Sequence, residues 1–86
     1  MDINELTSIV KKKIKDQVKI QNIIIEDKTF LHKNHSGYKK GKFHLKISIE
    51  SSDLKKLKSL ESNKKIYKIL GEEMKNFIHS LQISIT

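Results

Sequence analysis

Five residue types are missing from this 86-residue chain: arginine, alanine, cysteine, proline and tryptophan. Without cysteine there is no disulfide framework, no thiolate metal site and no cysteine nucleophile. Without arginine the chain lacks the usual bidentate reader of guanine edges and the better fork for phosphate. No apolar run approaches the roughly 18 residues of a membrane helix. Hydrophobic residues make up 36%, against about 45–50% in ordinary globular domains. A chain of this size buries only roughly 60% of its unfolded surface, so the expected core is thin. The N-terminus reads Met1-Asp2-Ile3-Asn4-Glu5-Leu6, acidic and amphipathic, unlike a signal peptide or an Arg-rich transit peptide. The cytosol is the expected compartment, and one domain over residues 1–86 the expected organisation.

Lysine is what the chain has in excess. Lys+Arg is 18 and Asp+Glu 10, a net charge of +8, and every basic residue is lysine. That sign points first to nucleic acid. The lysines are nevertheless spread along the chain, with one run of three, Lys11-Lys12-Lys13. Such spreading reads as solvated faces before it reads as a phosphate footprint. The run itself falls in the last turns of the first expected helix, where cations suit the negative end of the dipole. For a membrane-surface role, the first expected helix lacks the Trp/Phe anchors it would use.

Hydrophobic spacing sets the elements. Ile3, Leu6, Val10 and Ile14 recur at three and four and predict a helix, with Asp2 and Glu5 at capping-box spacing. Ile23-Ile24-Ile25, bounded by polar residues, predicts a strand over 20–27. Residues 28–41 read as a loop, long enough to be functional or disordered. Phe43, Leu45, Ile47 and Ile49 alternate with Lys42, His44, Lys46, Ser48 and Glu50, predicting a strand over 42–50 with one wet face. His44 falls on that wet face among lysines and reads as solvated. Ser51–Leu54 reads as a turn or helical stub. Ile66, Leu70, Met74 and Phe77, widened by Ile69 and Ile78, predict a long helix over 61–78. Gly71 inside it costs roughly 1 kcal/mol against Ala and suggests a close contact. Leu81, Ile83 and Ile85 predict a closing strand over 80–86. The order α-β-β-α-α-β implies a two-layer α+β domain in which a parallel last strand makes the long helix a crossover on the apolar sheet face.

Histidines are the only candidates for chemistry. His32 and His35 form His-x-x-His in the loop, and His79 lies where the long helix hands over to the last strand. His-x-x-His alone is a weak metal signal: it lacks the acid and third ligand of a zinc hydrolase and the Cys partners of a structural zinc site. No nucleophile–base–orienter set and no phosphate loop is present. The residues describe a non-enzymatic domain without a small-molecule substrate.

Three stretches together resemble the BolA family. Ile23-Ile24-Ile25-Glu26-Asp27-Lys28-Thr29-Phe30-Leu31-His32 is similar to that family's strand ending in Asp-x-Ser before a loop with a His or Cys, with Thr29 in the Ser place. Phe43-His44-Leu45-Lys46-Ile47-Ser48-Ile49 resembles its His-Phe-x-Val-x-x-Val-Ser strand, with Lys42 in the His place. Ile66-Tyr67-Lys68-Ile69-Leu70-Gly71-Glu72-Glu73-Met74 and Ile78-His79-Ser80-Leu81 resemble its late helix and His-Ala-Leu ending. The resemblance implies a fold like a class II KH domain, a three-stranded mixed sheet with helices on one face. It implies pairing with a monothiol glutaredoxin through a bridging 2Fe–2S cluster, or an apo complex, in iron–sulfur cluster assembly, trafficking or iron sensing. It implies His79 as one ligand and a loop imidazole as the other. His32 matches best by its distance from Asp27, and His35 competes because the loop length varies. Cys from the glutaredoxin and glutathione would supply the thiolates. An isolated monomer is expected. Some BolA proteins are proposed to be DNA-binding transcription regulators through a helix-turn-helix-like region. There the family's Arg-His-Arg is replaced by Ser62-Asn63-Lys64, leaving Lys64, Lys65 and Lys68 as the basic surface, and the Gly-x-x-Gly nucleotide clamp of KH domains is absent.

Overall fold

Ile3, Leu6, Val10 and Ile14 share one stripe when the backbone winds at 3.6 residues per turn. In the computed structural model, which describes residues 1–29 and 42–86, helix α1 runs Ile3–Gln17 and buries Leu6, Val10 and Ile14. Its first turn is closed by Asp2, whose Oδ1 accepts from the Glu5 backbone N–H at 2.9 Å. That satisfies one of the amides a helix start leaves without a partner.

Strands β1 (Asn22–Asp27) and β2 (Phe43–Glu50) pair antiparallel, from Asn22 opposite Glu50 to Asp27 opposite Leu45. Helices α2 (Ser52–Lys55), α3 (Ser59–Ile69) and α4 (Gly71–Asn76) lead to β3 (Ile78–Ile85), which lies parallel to β2. The sheet order is β1-β2-β3, so β2 is central. Leu45, Ile47 and Ile49 alternate to one face of β2. They join Leu6, Val10, Ile14, Ile23, Leu54, Ile66, Leu70, Ile78 and Leu81 in one core. The α+β class and the mixed three-stranded sheet are those the sequence predicts, with helices against one sheet face. Met74 and Phe77 are packed against the core as partly buried residues.

The expected long helix departs from the structure in three ways. It begins at Ser59, and it breaks at Leu70, whose backbone sits at φ −95, ψ 22. Hydrogen bonds persist on both sides of the break, Leu70 N–H to Ile66 O at 3.0 Å and Met74 N–H to Leu70 O at 2.8 Å. The break is therefore a kink, held by full burial of the Leu70 side chain and placed beside the poorest non-proline helix former. Ile78 belongs to β3, not to the helix. Gly71 marks no close contact either, since a Cβ there would meet nothing within 4 Å.

Three side chains tie distant elements. Ser51 is fully buried; its hydroxyl donates to Lys19 O at 2.8 Å and accepts from Leu54 N–H at 3.2 Å. One oxygen thus starts α2 and holds the segment after α1. Tyr67 donates its hydroxyl to Leu81 O at 2.7 Å, joining α3 to β3. Lys13 reaches both carboxylate oxygens of Glu73, at 2.9 and 2.8 Å, latching α1 to α4. Lys12 pairs with Asp16 at 3.3 Å. Two members of the lysine run are therefore occupied by internal carboxylates.

Candidate functional site

Ile78 and Leu81 both enter the core, and strict alternation forbids that: residues three apart on a strand face opposite ways. The chain resolves the conflict with one extra residue. Phe43 pairs with Ile78, but His44 pairs with Ser80, so His79 has no partner of its own on β2. This is a β-bulge, uncommon between parallel strands, and bulges re-aim side chains. Its effect is to set the His79 imidazole half-buried at the start of β3.

The ring meets another imidazole there. His44 and His79 have centroids 4.9 Å apart and planes at 66°, an edge-to-face contact. His44 overturns its expected place as a solvated residue: it is only 4% exposed. Alternation does put it on the face away from the helices, but that face is not open water at this point. Its Nδ1 lies 2.7 Å from Ser80 Oγ, its register partner on β3, so the hydrogen bond offsets part of the cost of burying the ring.

The other flank of His44 belongs to the Asp27-Lys28-Thr29 motif. Asp27 Oδ1 accepts from the Thr29 backbone N–H at 3.0 Å and from the Thr29 hydroxyl. Thr29 Oγ1 in turn accepts from the His44 N–H at 3.1 Å, and Lys28 N–H donates to His44 O at 2.7 Å. A hydroxyl two residues after the aspartate thus stitches the end of β1 to the start of β2. His44 stands between Thr29 on one side and the bulge on the other. Nearby, Lys28 lies 2.8 Å from Glu26 and holds its carboxyl below the usual range, mainly by hydrogen bonding and then by charge, with a smaller pull from Lys46.

His79 is therefore placed on a half-exposed rim. His32 and His35 lie outside the described residues. Among the described residues no group of three or more His, Cys, Asp or Glu is arranged to hold a metal ion. His44 is the residue that sequence reasoning misplaced: its alternation was legible, but the extra residue opposite it was not. Lys64, Lys65 and Lys68 are all exposed on α3. Lys65 and Lys68 border a groove of about 570 Å³ between α1 and α3, with Lys13, Asp16, Gln17 and Ile69. Among the described residues no helix is long and apolar enough to cross a membrane.

The model of the family of BolA-like proteins matches residues 14–86. A curated relative, the DNA-binding transcriptional regulator BolA of Haemophilus influenzae, is 28% identical over 80 residues, spanning 93% of this chain and 75% of that protein. Among solved structures, BolA1 from Arabidopsis thaliana is similar with a TM-score of 0.75 at 23% identity, covering 92% of this chain and 87% of that one. The BolA domain of SufE1 from Arabidopsis thaliana gives 0.78 at 19% identity, covering 100% and 93%. At these identities the structural likeness shows a shared fold.

Proposed function

The chain belongs to the family of BolA-like proteins, and from that premise we propose that it is a non-enzymatic cytosolic partner of a monothiol glutaredoxin, sharing a bridging 2Fe–2S cluster with it. The observation that supports this reading best is the position of His79, an imidazole lifted by a bulge onto a half-exposed rim against His44. The donor set of the chain fits: it has no thiolate to offer, and an iron of such a cluster accepts two imidazoles in place of two cysteines, as in Rieske centres. His79 and one loop imidazole, His32 or His35, are this chain's ligands, while the glutaredoxin and glutathione bring the thiolates. Bound there, the cluster supplies iron and sulfide for transfer or for sensing. The protein's residues do the rest. The bulge aims His79, Thr29 and Asp27 anchor the strand end from which the loop departs, and the +8 charge speeds encounter with an acidic partner face.

Mixing the chain with a monothiol glutaredoxin, glutathione, iron and sulfide tests the reading by visible circular dichroism. A heterodimer spectrum distinct from that of the glutaredoxin homodimer is expected, and His79→Ala should abolish it. A spectrum that survives both His79→Ala and His32→Ala removes the ligand assignment.

A second reading is DNA binding, favoured by the Haemophilus influenzae relative and by the exposure of Lys64, Lys65 and Lys68 beside the α1–α3 groove. Three phosphate contacts would give a log–log salt slope of about −2.7 on duplex DNA. Replacing the three lysines by Gln should then flatten the measured slope by about that amount. An unchanged slope, or binding without sequence preference at physiological salt, leaves only lysine electrostatics.

A further inference from the structure

We propose that His44 is a positioning residue for His79: Ser80 holds the His44 ring through Nδ1, and the edge-to-face contact passes that fixed orientation to the His79 imidazole. The proposal rests on the reading of His79 as a ligand and deepens it.

The geometry supplies each link. A residue in a bulge lacks the register partner that would otherwise order it, so the backbone alone leaves the His79 ring free to choose among rotamers. Its neighbour His44 has no such freedom. His44 belongs to the central strand β2, its backbone is engaged by Thr29 and Lys28 on the β1 side, and its ring is engaged by Ser80 on the β3 side. At 4% exposure it cannot swing out. Its ring meets His79 at 4.9 Å and 66°, within the range where aromatic rings prefer an edge-to-face arrangement. The rigid imidazole therefore acts as a wall that selects one orientation of the half-exposed one. An edge-to-face pair of this kind is worth about 2- to 10-fold in an equilibrium.

Three variants separate this role from mere packing. His44→Ala removes the wall. Ser80→Ala, at an exposed site where no core volume is lost, keeps both rings and removes the hold on His44. His44→Phe keeps an aromatic edge without the hydrogen bond. The apo chains are compared by NMR of the His79 ring carbons and nitrogens. The loaded glutaredoxin complexes are compared by visible circular dichroism and by the chelator concentration that strips the cluster.

His44→Ala should broaden or split the His79 ring signals and lower the stripping concentration by about 2- to 10-fold. Ser80→Ala should act in the same direction with smaller effect, and His44→Phe should restore part of the loss. His79 signals and cluster retention unchanged in both His44→Ala and Ser80→Ala, while His79→Ala abolishes the spectrum, overturn the positioning role and leave the ligand reading standing. If His79→Ala leaves the spectrum intact, the ligand reading falls. The apo NMR then decides the positioning role alone: disordered His79 signals in His44→Ala or Ser80→Ala uphold it, and unaltered signals end it. Should His44→Ala fail to fold, Ser80→Ala carries the same decision.

Discussion

Ser51 shows how much one oxygen can do when its partners are far apart in sequence. It caps α2 locally and binds Lys19 O, 32 residues away. Ser51→Ala loses the cap and the bond to the Lys19 carbonyl, so it should cost about 1–2 kcal/mol. Thermal melting should show this as a fall of several degrees, at about 4–8 °C per kcal/mol for a domain this small. Half of that role was legible, because a serine three residues before Leu54 reads as a helix start. The Lys19 half was not, because no local pattern encodes a contact over that span. His44 follows the same rule. Its side of the strand was correct from alternation, while Ser80 and His79, which its ring meets, stand on a strand 36 residues later. Asp2 is the opposite case: its partner Glu5 is three residues on, and the sequence foresees the bond that forms.

At the scale of elements, the α3–α4 kink makes Gly71 a useful probe. The residue is exposed, its backbone is outside the left-handed region, and a Cβ would meet open space. Gly71→Ala should therefore stabilise the chain by about 0.4–1 kcal/mol, chiefly by restricting the unfolded state. A urea titration should show a higher midpoint at unchanged m; a lower midpoint would mean that the kink needs glycine. The apolar stripe Ile66, Leu70, Met74 and Phe77 was enough to foresee a helix here and which side it buries. It could not reveal the break, because both segments keep the same stripe and the same flanking hydrogen bonds. The bulge was hidden for a related reason. Leu81, Ile83 and Ile85 alternate cleanly, so the strand reads as starting after Ile78, and only the pairing with β2 shows that Ile78 and His79 belong to it.

For the whole molecule, the long-range latch between Lys13 and Glu73 sets a pH dependence. The carboxylate of Glu73, a side chain only 7% exposed, raises the Lys13 ammonium above its ordinary value, first by hydrogen bonding and also by charge from Glu73 and Glu72. A group raised on folding contributes fully below its unfolded value, about 10.4 for lysine, and its contribution disappears as pH climbs through the higher folded value. Urea midpoints of the wild type should therefore drop more steeply above about pH 10 than those of Lys13→Met. Parallel curves would show that the latch carries no stability. The overall architecture was legible because the long elements have clean periods, and the expected order α-β-β-α-α-β, in which the structure only splits the last helix in two, has few ways to share one apolar face. The lysine run was the weak point. Charge alone does not say whether Lys13 meets water, phosphate or a carboxylate 60 residues distant.

The sheet order carries a further consequence for how the chain is made. The middle strand gains its second neighbour from a segment synthesised well after it, by way of a helical crossover, and parallel pairing of that kind is slow to close. Until Ile78–Ile85 have left the ribosome, one flank of β2 stays open to solvent. The nascent protein must pass through an interval in which that flank is a sticky seam, and its fate there depends on how promptly translation carries β3 into reach.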